Sequence, residues 1–484
     1  MGRVVVLGAG VSGHTAAAFL KKWLGHSHDV VVVSPKEKYN WIPSNIWVGV
    51  GCMKPAQVEF PIKPVYDKFG IEFHQARAVA IHPEGSADHD KPFVEIEYTE
   101  PSRDGERARL AYDHLINATG PKLNFGATKG LGPEGHSHSV CTTEHAVACR
   151  DAVHEAIGRM KKGERQRFLV GTGHGLCTCQ GAAFEYVTNL EFVLRKHGVR
   201  DKAEITWLSN EYCLGDFGMG GIYIKRGGYI THSRIFTESL FAERGLNWIF
   251  RAHVNEVCED RVLFETLDGT DHEEEFDVAM LLPPFAGVGL KAHDRKGGDI
   301  TERLFAPNGF MKVDADYSAK PYEEWKASDW PRYYVNPEYS NLYAVGIAFA
   351  PPHPISQPRK SPRGTPIFAT PPRTGMPSAM MGKAVASNIA NAMLGRKKSP
   401  HAASMARMGA GCVASAGAGL FNGTAAAMTV YPVVPDFDAY PEYGRDLSHT
   451  FGEIGLAGHW VKVILHYMFM HKAQGKPGWT LIPE

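Results

Sequence analysis

The sequence has little of several features that would each settle a protein's class. Its 52 basic residues are balanced by 52 acidic ones, so the basic excess typical of phosphate-backbone binding is missing and nucleic acid is not expected as a partner. Eight cysteines in 484 residues are far from the density of a disulfide scaffold. No uncharged apolar run reaches the ~18 residues of a spanning helix, and no signal peptide precedes the first motif. These absences leave a globular chain of two or three domains.

A strand, a glycine motif and a helix follow one another at the start of the chain. Arg3–Leu7 is predicted as a buried strand and residues 14–24 as a helix. Gly8, Gly10 and Gly13 between them form G-x-G-x-x-G. In this context the first glycine permits a tight turn, the second lets the backbone approach a pyrophosphate, and the third lets the helix pack closely on the strand. The segment therefore predicts a dinucleotide-binding site.

Three further segments indicate which dinucleotide. The second predicted strand ends at Ser34, where the fingerprint usually has an acidic residue for the ribose, and a hydroxyl can still form that hydrogen bond. An apolar strand ends in Thr119 and Gly120, and a later one ends at Gly346. Strands of this kind, in this order, are typical of flavoproteins with two dinucleotide domains. They favour FAD over a free nicotinamide cofactor.

A second glycine turn begins after an apolar strand at residues 167–170. The position three after Gly173 is Leu176, so the fingerprint spacing is broken. Cys177 and Cys179 lie where the next helix, predicted over residues 181–197, should begin, and a helix N-terminus stabilises a thiolate. We interpret this part as a second Rossmann-like domain that binds no NAD.

Further segments, spread along the whole chain, match one flavoprotein family in type and order. They are residues 43–49 (PSNIWVG), 139–146 (SVCTTEHA), 179–185 (CQGAAFE), 283–285 (PPF), 374–375 (TG) before a helix predicted over 378–394, Cys412, and 459–462 (HWVK). In this order they resemble the sulfide:quinone oxidoreductases, which belong to the FAD-dependent pyridine nucleotide-disulfide oxidoreductase superfamily. The ordered trio of cysteines is the most specific part of the resemblance.

The resemblance implies a fold as well as a family. It implies an α/β protein with two Rossmann-like dinucleotide-binding domains of the glutathione-reductase type and a C-terminal membrane-attachment region. The FAD domain would comprise residues 1–160 and 291–400, the second domain residues 161–290, and the quinone and membrane region residues 401–484.

The resemblance also implies a chemistry. Hydrogen sulfide would be oxidised to polysulfide or sulfur at a disulfide between Cys179 and Cys412 beside FAD, with the electrons passing to a quinone. Cys141 would help to release the sulfur chain or link the flavin covalently. Glu185 and His145 stand where the family has acid–base residues, so either could relay the sulfide proton.

The same resemblance implies further contacts with the flavin. The flavin contacts predicted in addition to the glycine motif are Ser44, Asn45, Ala78, Thr374 and Gly375.

Three positions depart from the family pattern, and one thiol is ambiguous. Ser415 replaces an Asp three residues after the third cysteine, Arg373 replaces a Lys, and Asp216 replaces a His. Cys177 is an extra thiol beside Cys179, and the sequence leaves open which of the two is the working sulfur. The other four cysteines are interpreted as buried structural residues: Cys52, Cys149, Cys213 and Cys258.

The C-terminal helix, predicted from Gly458, raises the question of a membrane. Its polar residues His459, Lys462 and His466 form a narrow stripe on an otherwise apolar surface. Such a helix either docks on the core or lies at a bilayer interface, and a quinone substrate favours the interface. We therefore expect a peripheral, monotopic membrane protein. The side of the membrane and the oligomeric state, including a homo-oligomer, stay open.

Three alternatives remain at the level of sequence. A type II NADH:quinone oxidoreductase needs an intact second glycine motif and no redox cysteines. A soluble flavocytochrome-type sulfide dehydrogenase should carry an export signal and lack the apolar C-terminal helix. The substitution at Ser415 also leaves room for a non-enzymatic sulfur-binding protein with the same fold.

Overall fold

The computed structural model describes residues 2–178, 180–419, 421 and 423–484, without the side chains of Arg226 and Cys412. The first domain starts with β1 (Arg3–Leu7), α1 (Val11–Leu24), β2 (Asp29–Ser34), β3 (Lys38–Asn40), α2 (Asn45–Gly49), β4 (Glu59–Pro61), α3 (Lys63–Phe69), β5 (Glu72–His82), β6 (Phe93–Tyr98), β7 (Arg107–Ala111), β8 (His114–Asn117), β9 (Lys122–Leu123) and α4 (Thr143–Lys161).

The second domain follows directly. Its elements are β10 (Gln166–Thr172), α5 (Gln180–Lys196), β11 (Ala203–Leu208), β12 (Tyr223–Arg226), β13 (Tyr229–His232), α6 (Ser233–Arg244), β14 (Asn247–Ile249), β15 (Ala252–Val257), β16 (Arg261–Thr266), β17 (Asp271–Glu275) and β18 (Val278–Leu282).

The chain then returns to the first domain and ends in a helix. These elements are β19 (Phe285–Ala286), β20 (Lys291–Ala292), α7 (Thr301–Leu304), β21 (Leu342–Ala344), α8 (Gly375–Met393), β22 (Ala410–Ala416), β23 (Thr424–Val430), β24 (Phe451–Gly455) and α9 (Leu456–Ala473).

The sheet of the first domain has β1 near its centre. β1 pairs in parallel with β2 on one side and β8 on the other, and β21 pairs in parallel with β8. Val4, Val5 and Val6 are completely buried, because helices and loops cover both faces of a parallel sheet. α8, from late in the chain, packs along α1. The carboxyl ends of β1, β8 and β21 therefore meet at one edge, beside the start of α1.

The second domain repeats this plan on a smaller scale. Its parallel sheet has the order β14-β11-β10-β18, and β15, β16 and β17 form a separate antiparallel sheet. α5 follows β10 and packs against it. Each domain thus has a set of parallel strands with a glycine turn that leads into a helix, and the antiparallel strands β6 and β7 extend the first sheet. This agrees with the α/β class predicted from the sequence.

A third sheet joins the second domain to the C-terminal part of the chain. Its order is β13-β12-β24-β23-β22, so the β12–β13 hairpin of the second domain pairs with β24. α9 packs on β22, β23 and β24. Within the described residues, no helix is both long enough and apolar enough to cross a membrane.

Candidate functional site

The first glycine turn has the geometry of a dinucleotide cradle. Gly8 has a φ of +101°, and a Cβ there would lie 2.2 Å from the carbonyl oxygen of Ala118. A Cβ on Gly13 would lie 2.0 Å from the carbonyl oxygen of Gly8, so neither position accepts a side chain. Gly10 differs, because no described atom lies within 4 Å of where its Cβ would be. The backbone at the start of α1 is therefore open to approach at Gly10, which fits the pyrophosphate of a dinucleotide.

Other predicted cofactor residues lie at the same edge. Thr119 and Gly120 follow β8 directly, and the Thr119 hydroxyl donates to Oδ1 of Asn117 at 2.8 Å. Gly346 has a φ of +67°, and a Cβ there would lie 2.9 Å from the Cβ of Ser12 on α1. The turn after β21 thus closes on the first turn of α1, where only glycine leaves room.

Four further predicted positions lie on neighbouring elements. Ser34 is the buried last residue of β2, and Ala78 lies on the adjacent strand β5 at an irregularity in its pairing with β6. Thr374 is the N-cap residue of α8, and Gly375 is its first residue. These positions are compatible with a cofactor that runs along the sheet edge, and their contact with FAD stays a prediction.

Ser44 and Asn45 are engaged with protein groups. Both are completely buried. Oγ of Ser44 is hydrogen-bonded to Nδ1 of His466 on α9 at 2.8 Å. Asn45 exchanges two hydrogen bonds of 2.9 Å with the side chain of Asn40. The side chains of both residues thus fix α2 in place, so a contact with a flavin would fall to the main chain.

The second glycine turn is filled by the protein itself. A Cβ on Gly173 would lie 2.4 Å from Cδ1 of Leu131, and one on Gly175 would lie 2.4 Å from the carbonyl oxygen of Pro366. The Gly175 N–H donates to Nδ1 of His253 at 3.0 Å, and its carbonyl accepts from the N–H of Phe368 at 3.0 Å. The space that a pyrophosphate would need is therefore taken by side chains and by residues 366–368.

Of the two cysteines in the predicted redox pair, the structure describes one, and only its backbone. Cys179 lies outside the described residues, and Cys412 is described by its backbone, in β22. α5, which starts at Gln180, packs against β22. The helix that follows Cys179 and the strand that contains Cys412 are therefore neighbours, and the predicted disulfide itself stays a prediction.

The neighbouring thiol Cys177 is enclosed. Its side chain is 0% exposed, and its thiol donates to the carbonyl oxygen of Leu282 at 3.1 Å. An enclosed, hydrogen-bonded thiol is poorly placed to meet a dissolved nucleophile. This contact favours Cys179 as the working sulfur.

The remaining cysteines have different surroundings. Cys141 is half-buried, its N–H donates to Oγ of Ser139 at 3.1 Å, and it lies just before α4. Burial raises the pKa of Cys52 to about 11, and that of Cys149 to about 12. Burial likewise raises the pKa of Cys213 to about 11. Cys149 is buried, as predicted, whereas Cys52, Cys213 and Cys258 are only half-buried. The raised pKa values indicate that Cys52, Cys149 and Cys213 are poorly reactive thiols.

Glu185 lies at the centre of a buried polar cluster. Its side chain sits on the second turn of α5 and is almost fully buried. Oε1 accepts a hydrogen bond of 2.7 Å from Oγ of Ser415, and Oε2 pairs with Nζ of Lys462 at 2.9 Å. Oγ of Ser415 in turn accepts from Nε1 of Trp47 at 3.0 Å. The carboxylate, its ammonium partner and two neutral donors thus join α2, α5, β22 and α9.

The polar stripe of α9 faces the protein, and several of its apolar residues face outward. His459 and His466 are buried, and Lys462 reaches Glu185. Burial lowers the pKa of His466 to about 4, so its imidazole is neutral at physiological pH. On the other side, Ile464 is 53% exposed and Tyr467 is 56% exposed. The inward side of α9 therefore carries the polar stripe beside buried apolar residues such as Val463.

His145 lies apart from this cluster. It is on the first turn of α4, and its ring meets that of Phe125 edge-on with 5.7 Å between centroids. Burial lowers its pKa, and the charges nearest to it are those of Glu144, Lys36 and Glu134. None of its described contacts reaches Glu185, so the structure separates the two predicted acid–base residues.

Sequence reasoning missed the partners in the Glu185 cluster. Ser415 stood out only as a departure from the family pattern, and neither Trp47 nor Lys462 was predicted as a site residue. The one signal in the sequence was the polar stripe of α9, because charged and imidazole groups that recur on one side of an apolar helix need polar partners.

Comparisons with known proteins place the chain in a family. It is 31% identical over 388 residues to the sulfide-quinone reductase of Aquifex aeolicus, and the aligned residues cover 80% of this chain and 76% of that protein. It is 25% identical over 314 residues to a mitochondrial sulfide:quinone oxidoreductase of Dictyostelium discoideum, covering 64% of this chain and 61% of the relative. No protein-family model matches.

Solved structures give the same result. The X-ray structure of the Aquifex aeolicus sulfide:quinone oxidoreductase superposes with a TM-score of 0.75 at 28% identity, over 98% of this chain and 92% of that one. The NADH-bound structure of NDH2 from Plasmodium falciparum has a TM-score of 0.61 at 13% identity, over 97% and 94% of the two chains, and shows a shared fold. The chain described here belongs to the sulfide:quinone oxidoreductase family.

Proposed function

We infer that the protein is an FAD-dependent sulfide:quinone oxidoreductase, which oxidises hydrogen sulfide and delivers the electrons to a quinone. The observation that carries this inference is the similarity to a sulfide-quinone reductase over four-fifths of the chain, at 31% identity. The superposition on the Aquifex enzyme extends over 98% of the chain. The first glycine turn fits the cofactor that this reaction needs.

We propose that the edge of the first sheet holds FAD. The open approach at Gly10 and the N–H groups of α1 would bind the pyrophosphate. Gly346 and the start of α8, at Thr374, would line the cofactor from the opposite side. When bound, FAD supplies a carrier that takes up an electron pair and passes it on.

The sulfur chemistry is assigned to Cys179 and Cys412. Hydrosulfide attacks one sulfur of a disulfide between them, so a new S–S bond forms to sulfide and the old S–S bond breaks. One cysteine becomes a persulfide, and the other leaves as a thiolate that holds the electron pair of the broken bond. Cys141 remains the candidate for sulfur release or for a covalent link to the flavin.

Glu185 is proposed to take up the proton that sulfide loses. Its carboxylate lies between the segment that follows Cys179 and the strand that carries Cys412. Lys462 stabilises the negative charge, and Ser415 donates to the same carboxylate. Because Lys462 belongs to α9, the acid–base group is tied directly to the helix that borders the membrane in this proposal. His145, which lies elsewhere, is the second candidate for proton transfer.

The second domain is proposed to bind no NADH. The crowding at Gly173 and Gly175 supports this, since both sides of the turn are filled. The distant NADH dehydrogenases share the fold with this chain, and the proposal assigns the chain a different electron donor.

Anaerobic spectroscopy of the purified holoenzyme tests the function. Sulfide should bleach the flavin absorbance, a short-chain quinone should restore it, and NADH should leave it unchanged. Cys179→Ser and Cys412→Ser should retain the cofactor and lose sulfide-driven bleaching, whereas the matched variant Cys177→Ser should keep it. Bleaching by NADH and not by sulfide would overturn the function, and turnover retained in both redox variants would overturn the disulfide step.

We further propose that the protein attaches peripherally to a bilayer through α9. The exposed side of this helix carries Trp460, Val461, Ile464 and Tyr467. Aromatic and aliphatic side chains of this kind are typical of helices that lie in the membrane interface. A quinone that is dissolved in the bilayer gives a reason for the attachment.

A further inference from the structure

α9 covers only part of one face of the five-stranded sheet. Its first turn lies on that face, since a Cβ on Gly458 would lie 3.3 Å from the Cβ of Ala427. Ala427 pairs directly with Glu453, and Thr429 pairs directly with Phe451. Paired residues, and residues two apart on a strand, share a face, so Phe451 lies on the same side of the sheet as α9.

The outer strands continue this face away from the helix. Lys225 on β12 pairs with Phe451 on one side and with Ile230 of β13 on the other. Phe451 and Ile230 are each 47% exposed, and Tyr223, two residues before Lys225 and thus on the same face, is 44% exposed. Ile224, which points to the opposite face, is 1% exposed. The apolar side chains on the outer face are therefore exposed although the other face of the same strand is well packed.

The hairpin that carries these residues, residues 223–232, is named the glycine hairpin here. Gly227 and Gly228 form its two-residue turn, with φ of +53° and +86°. Two consecutive positive φ values are typical of the tight turn that matches the twist of the flanking strands, so the tip is short and defined.

The base of the glycine hairpin is fixed to the C-terminal region. The buried guanidinium of Arg445 donates to the carbonyl oxygens of Met219 and Gly221, each at 3.0 Å. It also donates to the carbonyl oxygens of Pro432 at 3.2 Å and Val433 at 3.1 Å. Four hydrogen bonds from one buried cation hold the hairpin in a set position relative to the sheet that supports α9.

We propose that the glycine hairpin is a second contact with the lipid bilayer, in one surface with α9. The proposal rests on the membrane attachment through α9. A bilayer is the occupant because the hairpin continues the face on which α9 lies, and because the quinone substrate is dissolved there. Tyr223, Ile230 and Phe451, with the ammonium of Lys225 among them, are the mixture of aromatic, aliphatic and basic groups that the interface accepts.

The second contact has a mechanical consequence. A single helix that lies in the interface leaves the protein free to rotate about the axis of that helix. A contact on the outer strands, away from this axis, removes that freedom. The two contacts together would hold the Glu185 cluster and its surroundings at one orientation to the membrane.

Vesicle binding and lipid quenching test the proposal. Ile230→Asp and Tyr223→Asp should each weaken binding of the holoenzyme to vesicles of phosphatidylcholine and phosphatidylglycerol by about tenfold, since each removes an apolar group from lipid and adds a charge. Activity with sulfide and a short-chain quinone in detergent should stay unchanged. Ile230→Trp should add fluorescence that brominated lipid quenches, whereas Val288→Trp, at another exposed apolar position, should add fluorescence that it does not quench.

Two further variants separate this proposal from the attachment on which it rests. Ile464→Asp tests α9, and Val288→Asp is the matched control that should bind vesicles like the wild type. If the Ile464→Asp variant is released from vesicles while both hairpin variants stay bound to them, the hairpin contact is refuted and attachment through α9 stands. If Ile464→Asp stays bound while the hairpin variants are released, the attachment through α9 fails and the hairpin contact is supported. A hairpin variant that changes the oligomeric mass without changing vesicle binding would make this surface an interface between copies, and would overturn the proposal.

Discussion

Ser415 shows how a single residue can depart from a family pattern and still serve the site. Its hydroxyl donates to Glu185 at 2.7 Å and accepts from Trp47 at 3.0 Å, so it connects a neutral donor to the buried carboxylate. Because this residue is a neutral hydroxyl, Glu185, the proposed acid–base group, has no second carboxylate at this position and pairs with the ammonium of Lys462. The contact spans 230 positions in the sequence, which is why no local pattern could predict it.

Removal of this hydroxyl should affect the chemistry more than the fold. We expect Ser415→Ala to slow sulfide-driven flavin bleaching by about tenfold, because a hydrogen bond to a charged group contributes about 1.5–3 kcal/mol. Stopped-flow absorbance measures the rate. Thr188→Val is the matched control, since Thr188 donates to the main-chain carbonyl of Ser415 at 2.9 Å and leaves the bond between Ser415 and Glu185 intact. An equal loss of rate in both variants would assign the effect to packing.

Glu211 gives the stability of the protein a predicted pH dependence. Burial, with the nearby charge of Asp216, raises the pKa of Glu211 from 4.5 to about 8. A carboxyl group with a raised pKa in the folded state stabilises the fold below about pH 4.5, and this stability is lost as the pH rises through 8 at about 1.4 kcal/mol per unit. We expect Glu211→Gln to lower this slope in thermal unfolding between about pH 5 and pH 8. Glu243→Gln, at an exposed position, should keep the wild-type slope, and an unchanged slope in Glu211→Gln would contradict the prediction.

At the scale of elements, the sequence predicted helices well and their first turns less well. The helix predicted over residues 14–24 begins at Val11, and the one predicted over 378–394 begins at Gly375. Glycine and proline are poor helix formers in an interior, yet both are tolerated in a first turn, where the N–H groups have no partner within the helix. Gly13 and Pro377 thus lie in the first turns of α1 and α8, although the low helix propensities of glycine and proline predicted that both helices begin later.

The orientation of α9 was harder to predict than its existence. Its composition allowed a helix docked on the core or one at a bilayer, and the structure shows a docked helix whose outer side exposes apolar residues. The polar stripe docks because Glu185, Ser44 and buried carbonyl groups offer it partners. Since those partners come from distant parts of the chain, the amphipathic pattern alone could not say which side faces inward.

Two adjacent residues of α9 should respond in opposite ways to the same substitution. Val463 is 2% exposed and Ile464 is 53% exposed. We expect Val463→Asp to lower the thermal unfolding midpoint strongly, because an unpaired carboxylate in the core costs several kcal/mol. Ile464→Asp should change stability by less than about 0.5 kcal/mol. Differential scanning calorimetry of the two holoenzymes in detergent measures the difference, and equal losses would mean that α9 is not docked in the described orientation.

At the scale of the whole molecule, the two dinucleotide-type folds and the family were predictable from the sequence. The strand pairing that joins the second domain to the C-terminal region was not. Gly8, Gly10 and Gly13 gave a local signal that a sequence can carry by itself. The pairing of Lys225 with Phe451, by contrast, joins the second domain to the C-terminal region through a register that only the folded chain defines. Non-local strand pairing of this kind leaves no spacing pattern in the sequence.

The cofactor should stabilise the whole molecule, because its predicted site draws on β1, α1, β8, β21 and α8. A ligand that binds only the folded state adds about 2.7 kcal/mol at a free concentration of 100 times its Kd. We therefore expect the unfolding midpoint of the flavin-free protein to rise with added FAD. Gly10→Val, which fills the open approach at the first glycine turn, should fold and lose this rise. Gly158→Val is its matched control, since Gly158 is exposed on α4 with equally open space around its Cβ position, and it should keep the rise. An FAD-dependent rise that persists in Gly10→Val would move the pyrophosphate away from the start of α1, and with it the basis for the proposed cofactor contacts.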